Sequence, residues 1–148
     1  MIRIIILIMV SLTISITAEA SQLSKSASKV SFLPSEEEVN EISQLKPLSK
    51  NELEQIFINR TFTGVSNTGE HAGKPANFIY SANGENLLIE TPIGNWTRRI
   101  TIKNSTICNY KDNKGPFFCL EVRKFNGKYY GTLVDDSSNI NFIWIPQL

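Results

Sequence analysis

Few residues in this chain are of a kind that does chemistry. His71 is the single histidine among 148 residues, and it neighbours Glu70. A histidine acting as general base needs a nucleophile in reach and a third group to orient its ring. No G-x-S-x-G nucleophile elbow occurs, so His71 reads as a solvated loop residue. Cys108 and Cys119 are the only cysteines. With one histidine they fall short of the about four ligands that zinc takes, and they do not form a C-x-x-C redox pair. The run Asp135-Asp136-Ser137-Ser138-Asn139 lacks the alternating oxygen ligands, central glycine and terminal glutamate of a calcium loop, and reads as a polar turn. Nothing in the sequence sets the distance or burial of Glu90 and Glu121, so no acid and base pair is assigned. The expected catalytic, cofactor and metal sites are therefore none. Trp96, Tyr129, Phe142 and Trp144, with Tyr130, either line a ligand cavity or form plain core. Small barrels generally fill themselves with side chains.

The ends and the charge bound the class. Arg3, the apolar run from Ile4 to Ile16 and the small-x-small trio Ala18-Glu19-Ala20 have the three parts of a cleavable secretory signal. This run of thirteen residues is shorter than the roughly 20 a helix needs to cross a bilayer, and Ser11, Thr13 and Ser15 dilute it. Residues 1–20 are expected to be removed and the remainder to be soluble, without stable membrane insertion. The chain carries 15 basic and 14 acidic residues, a net charge of +1. The adjacent Arg98 and Arg99 fall on opposite sides of a strand, so no nucleic acid partner is expected. Two cysteines in an exported chain imply one structural disulfide and an oxidising compartment, periplasmic or secreted. Three N-glycosylation sequons, at Asn59, Asn95 and Asn104, are no more than this composition yields by chance.

Positioning such residues requires folded elements, and their pattern changes along the chain. Residues 21–34 are serine-rich and read as a flexible leader. Ser35 with Glu38, and Ser49 with Glu52, have capping-box spacing. Val39, Ile42 and Leu45 supply one apolar stripe; Leu53, Ile56 and Phe57 supply a better one. So short a second helix is marginal alone and must dock.

From Arg60 the period becomes two. Thr61 to Val65 is a first strand, followed by the polar loop 66–76. Asn83-Gly84 and Asn126-Gly127 are expected type I′ hairpin turns. In strand 95–103, Trp96, Ile100 and Ile102 share one face, with Arg98 as the charged exception near a rim. A four-residue loop at 112–115 sets Cys108 opposite Cys119, and the turn at Asn126-Gly127 sets Leu120 opposite Leu133 and Val122 opposite Gly131 on an inner face. Asp135 to Asn139 turns the chain into the last strand, 140–146.

The stretch L-x-x-x-E-L at Leu48 to Leu53, T-F-T-G at Thr61 to Gly64, Tyr80 with Asn83-Gly84, G-N-W at Gly94 to Trp96, the two cysteines and N-G-K-Y-Y at Asn126 to Tyr130 together resemble a group of short, uncharacterised periplasmic domains of alphaproteobacteria. The resemblance spans about residues 48–146 and implies a compact β-fold with a structural disulfide, with no reaction to carry over. Gly94-Asn95-Trp96 is also similar to the lipocalin G-x-W, although lipocalins place it on the first strand.

The expected architecture is mainly β: an antiparallel meander forming a small barrel or half-barrel, with one or two short N-terminal helices. The expected divisions are a signal at 1–20, a leader with a short helix at 21–47 and a barrel-like domain at 48–148. The helix at 49–58 plugs one mouth or covers one edge. The expected activity is non-enzymatic binding of an envelope protein or a small apolar ligand. The alternative is inhibition of a secreted or periplasmic hydrolase through the 66–76 loop. A cavity lined by Trp96 and Trp144 favours the ligand; a filled barrel favours the inhibitor.

Overall fold

The structure is a computed structural model that describes residues 33–68, 72–111 and 115–147. The expected signal at 1–20, most of the leader, His71 and the tip of the 112–115 loop lie outside the described residues. Helices α1 (Glu36–Gln44) and α2 (Lys50–Phe57) precede eight strands: β1 (Thr61–Ser66), β2 (Pro75–Tyr80), β3 (Asn86–Thr91), β4 (Gly94–Lys103), β5 (Thr106–Tyr110), β6 (Phe118–Phe125), β7 (Lys128–Leu133) and β8 (Asp136–Pro146). Each strand pairs antiparallel with the next, and β8 returns to β1, so the meander is a closed barrel rather than a half-barrel.

Closure depends on one glycine. Gly64 on β1 pairs with Trp144 on β8, and a Cβ placed on it would run into the Ile143 carbonyl oxygen. No side chain fits between strands that approach so closely.

Period-two alternation divides the wall into two faces. Inward residues such as Phe62, Phe78, Leu87, Ile100, Ile107 and Val122 form the main core. Outward residues of β4 are polar and exposed. On the outward face of β1, β7 and β8, Val65, Tyr130 and Ile143 instead form a second apolar cluster around Ile42 of α1. The last strand, INFIWIP, shows no alternation because α1 covers one of its faces and the barrel interior the other. Residues 36–44, within the segment read as leader, thus belong to the folded unit.

Both helices begin with the capping boxes their sequences encode, Ser35 with Glu38 and Ser49 with Glu52. On α2 the i, i+4 pair Leu53 and Phe57 is fully buried among inward-facing side chains. The ring of Phe57 stacks on Phe62 at 4.8 Å and meets Tyr80, Trp144 and Tyr129 edge-on at 5.1, 5.4 and 5.6 Å. Ile58, just past the helix, lies against Gly84 in the β2–β3 turn. The helix therefore seals the end of the barrel where the β2–β3, β4–β5 and β6–β7 turns lie. Arg123, only 5 % exposed on the outer wall, ties the interhelical linker down. Its guanidinium donates to the Leu45 carbonyl at 2.9 Å, the Thr132 hydroxyl at 2.8 Å and the Glu121 carboxylate at 2.7 Å.

The disulfide Cys108–Cys119 joins directly paired positions of β5 and β6, with Cα atoms 4.0 Å apart. Ile107 and Asn109 face inward, so the bridge sits on the outer wall. A disulfide of this kind marks an oxidising, extracytoplasmic compartment.

Three expectations of detail are corrected. At Asn83-Gly84 only Gly84 takes the left-handed conformation, so no type I′ turn forms. The Asn83 side-chain oxygen accepts from Ser81 Oγ at 2.6 Å and from the Glu85 N–H at 3.1 Å. These local bonds hold a wider turn in the same register. At Asn126-Gly127 both residues are left-handed, as a type I′ turn requires. The final turn is not Asp135 to Asn139: β8 starts at Asp136, which pairs with Leu133, and residues 137–139 bulge out of the ladder before Ile140 pairs with Thr132. Register shifts between Gly131 and Leu133 twist that hairpin, so Leu133, paired with Leu120 as expected, is 38 % exposed instead of facing inward.

Candidate functional site

With α2 closing one end, the strands and loops at the other end enclose an open cavity of about 330 Å³. Volumes of about 300–1,000 Å³ are usual for small-molecule sites, so the space suits a small ligand. Its wall is an aromatic ladder. Phe118 stacks on Phe142 at 5.6 Å and 23°, and Phe142 stacks on Trp144 at 5.6 Å and 12°. Phe78, Leu87 and Leu120 complete the deep part, and Trp96 and Ile89 face each other across β3 and β4 nearer the mouth.

Set into this apolar wall are a few polar groups. Arg98 on β4 and Lys74 before β2 are the cations lining the cavity, and Asn109 on β5 is a buried amide, 6 % exposed. No carboxylate lines the cavity among its described residues. Arg98 is half-buried, one inward position below Trp96. Residues 96, 98, 100 and 102 alternate inward from the open end, so Trp96 lies between Arg98 and the mouth, and the wholly buried Ile100 lies just below. The hydroxyl of Tyr80, another lining residue, has its pKa pushed up by burial and stays neutral. The Trp144 Nε1–H is buried with no hydrogen-bond acceptor among the described residues.

The loops at the two ends differ in character. At the open end, Ile93 between β3 and β4, Phe117 before β6 and Val134 between β7 and β8 are exposed, Phe117 by 67 % and Ile93 by 60 %. At the sealed end the turns are built from residues such as Asn83, Glu85, Asn104, Ser105, Asn126 and Gly127. Apolar side chains gathered on one rim are a feature of interaction sites.

The structure separates the four aromatic candidates. Trp96, Phe142 and Trp144 line the cavity, whereas Tyr129 packs on the plug with Phe57 and Phe62. Glu121 is engaged by Arg123 on the outer wall, and Glu90 lies on β3, three strands away, so they form no pair. Asp136 accepts from Ser138 Oγ within the β7–β8 hairpin. Among the described residues no group of three histidine, cysteine, aspartate or glutamate side chains is placed to hold a metal ion. The contributions of Phe78, Phe118 and Asn109 were not visible from the sequence. For Arg98 the signal was present: a cation on the same face as Trp96, Ile100 and Ile102.

The fold and site define a class: a closed eight-stranded antiparallel barrel with one disulfide, a helical plug and an aromatic-walled cavity. No protein-family model, curated protein or solved structure matches the chain, and the resemblance to alphaproteobacterial periplasmic domains extends no further than this barrel and its disulfide. Among the described residues no helix is long and apolar enough to cross a membrane.

Proposed function

We propose that this protein is an exported, non-enzymatic barrel that binds a small apolar ligand, working in the periplasm or outside the cell. The observation that carries the reading is the open cavity of about 330 Å³ lined by Trp96, Phe142 and Trp144. Apolar concavities with a few placed polar groups are the usual form of small-molecule sites. The signal-like residues 1–20 and the disulfide support export. An inhibitor scaffold acting through a rigid loop has no need of a hollow interior, and the cavity favours the ligand over that alternative.

The test is titration of the delipidated protein with N-phenyl-1-naphthylamine, a neutral apolar dye. Saturable one-to-one binding is expected, and Ala76→Phe, which projects a ring into the cavity, is expected to abolish it with unchanged circular dichroism. Dye uptake that is absent, or equal in the variant, overturns the reading. Docking onto an envelope protein is favoured separately by the exposed rim of Ile93, Phe117 and Val134. It requires that replacing Ile93 and Val134 by serine abolish capture of that partner while leaving dye binding intact.

A further inference from the structure

We infer that the ligand is an amphiphile with one anionic head, a carboxylate on a small apolar body, and that Arg98 holds the head. This rests on the proposed ligand-binding function and names the chemistry of the ligand.

The inference starts from the arginines. Arg98 and Arg99 are adjacent in sequence and point to opposite faces of β4. Outside, Arg99 lies over the Tyr110 ring, 4.6 Å from its centroid. The buried Arg123 has three partners, one of them a carboxylate. Arg98 faces the cavity and has no ion pair among the described residues, where the ion pairs are Lys50–Glu54 and Arg123–Glu121. Arg98 is half-buried in the cavity wall, and the planar fork of an arginine matches a carboxylate through two parallel hydrogen bonds.

The surroundings set the rest. Lys74 adds a second positive charge, and the described lining offers no carboxylate to compete for either cation. Asn109 stands opposite Ile100, on the cavity side one layer below Arg98, and adds a neutral donor and acceptor. The stacked Phe118, Phe142 and Trp144 rings supply the flat apolar surface on which a chain or ring lies. Because Trp96 lies outward of Arg98, the head group is held within the barrel, where water screens the pairing less than at a surface.

The experiment compares dodecanoic acid, dodecanol and dodecyltrimethylammonium on the delipidated, disulfide-bonded protein, by displacement of N-phenyl-1-naphthylamine. The acid is expected to bind at least tenfold more tightly than the alcohol, as a charge-assisted hydrogen bond provides, and the cation most weakly. In Arg98→Gln the preference for the acid should disappear, so that acid and alcohol bind with equal affinity. Arg98→Lys should retain part of the preference, since it keeps the charge and loses the fork. Among the described residues Arg98 has no side-chain hydrogen bond whose loss would unfold the barrel, and an unchanged circular dichroism spectrum and urea midpoint for the variants check this. Equal affinity for acid and alcohol, or an acid preference that survives Arg98→Gln, overturns the inference and leaves the ligand-binding reading standing. Failure of the dye and all three amphiphiles to bind overturns both.

Discussion

Truncating Phe57 tests whether the helical plug is an integral part of the barrel. Phe57→Ala removes a fully buried ring with four aromatic neighbours between 4.8 and 5.6 Å. A buried phenylalanine cut to alanine costs about 3–5 kcal/mol, from lost transfer energy and the space left behind. Four ring pairs, each contributing about 0.5–1.5 kcal/mol beyond burial, place this case at the upper end, about 4–5 kcal/mol. The helix has eight residues and only Leu53 as its other fully buried anchor, so it is too short to persist undocked. Against a domain stability of about 5–15 kcal/mol, the variant should be close to unfolding. Urea denaturation followed by tryptophan fluorescence reports directly, because Trp144 touches Phe57. Gln55→Ala, on the exposed side of the same helix, should change stability by no more than about 0.5 kcal/mol. A loss below about 1 kcal/mol for Phe57→Ala, or one matched by Gln55→Ala, would refute the claim that α2 is seated in the barrel end.

Other perturbations probe separate parts of the fold. Gly64→Ala drives a methyl group into the Ile143 backbone, and thermal denaturation should show a loss of about 3 kcal/mol; a neutral effect would contradict the tight β1–β8 approach. Replacing Cys108 and Cys119 together by serine opens a loop of sequence separation 11 and should cost about 2–3 kcal/mol with the dye site retained, as measured by urea midpoint and dye titration. Arg123→Ala leaves the Leu45 carbonyl and the Glu121 carboxylate without their donor; a cost of about 3 kcal/mol is expected, with amide exchange speeding up first in α1. Burial raises the pKa of Tyr80, and burial with the nearby Glu38 charge raises that of Tyr130. A proton held more tightly in the folded state contributes stability that is whole below the ordinary tyrosine value of about 10 and is lost as pH rises above it. Melting temperature should therefore fall above about pH 10, and Tyr80→Phe should flatten that fall; an identical decline in the variant would show that Tyr80 does not carry it.

Much of this fold is legible in the chain because the relevant forces act over a few residues. Ser35 with Glu38 and Ser49 with Glu52 are partners one helical turn apart, and both capping boxes form. Asn126-Gly127 favours the backbone a tight hairpin needs, so the pairing of Val122 with Gly131 follows. The pairing of Cys108 with Cys119 follows from a short loop and a period of two. Where local chemistry offers two solutions the outcome differs from the expectation: the Asn83 side chain competes with its backbone, and Asp136 already pairs with β7 while residues 137–139 bulge from the ladder.

Closure, plug and cavity were decided elsewhere. Gly64 meets Trp144 across 80 positions of sequence, and nothing near either residue encodes that contact. Trp96, Phe142 and Tyr129 are alike as aromatics in alternating strands, yet two line the cavity and the third packs on Phe57, because each is placed by its height in the barrel. Arg98 has the same origin: alternation turned it inward, but only the assembled strands removed every described carboxylate from its surroundings. Residue type and spacing thus determined which elements form and which face each presents, since those depend on neighbours in the chain. The shape of the space they enclose, and the charge left within it, arise from contacts between residues far apart in sequence and exist only once the ring of strands is closed.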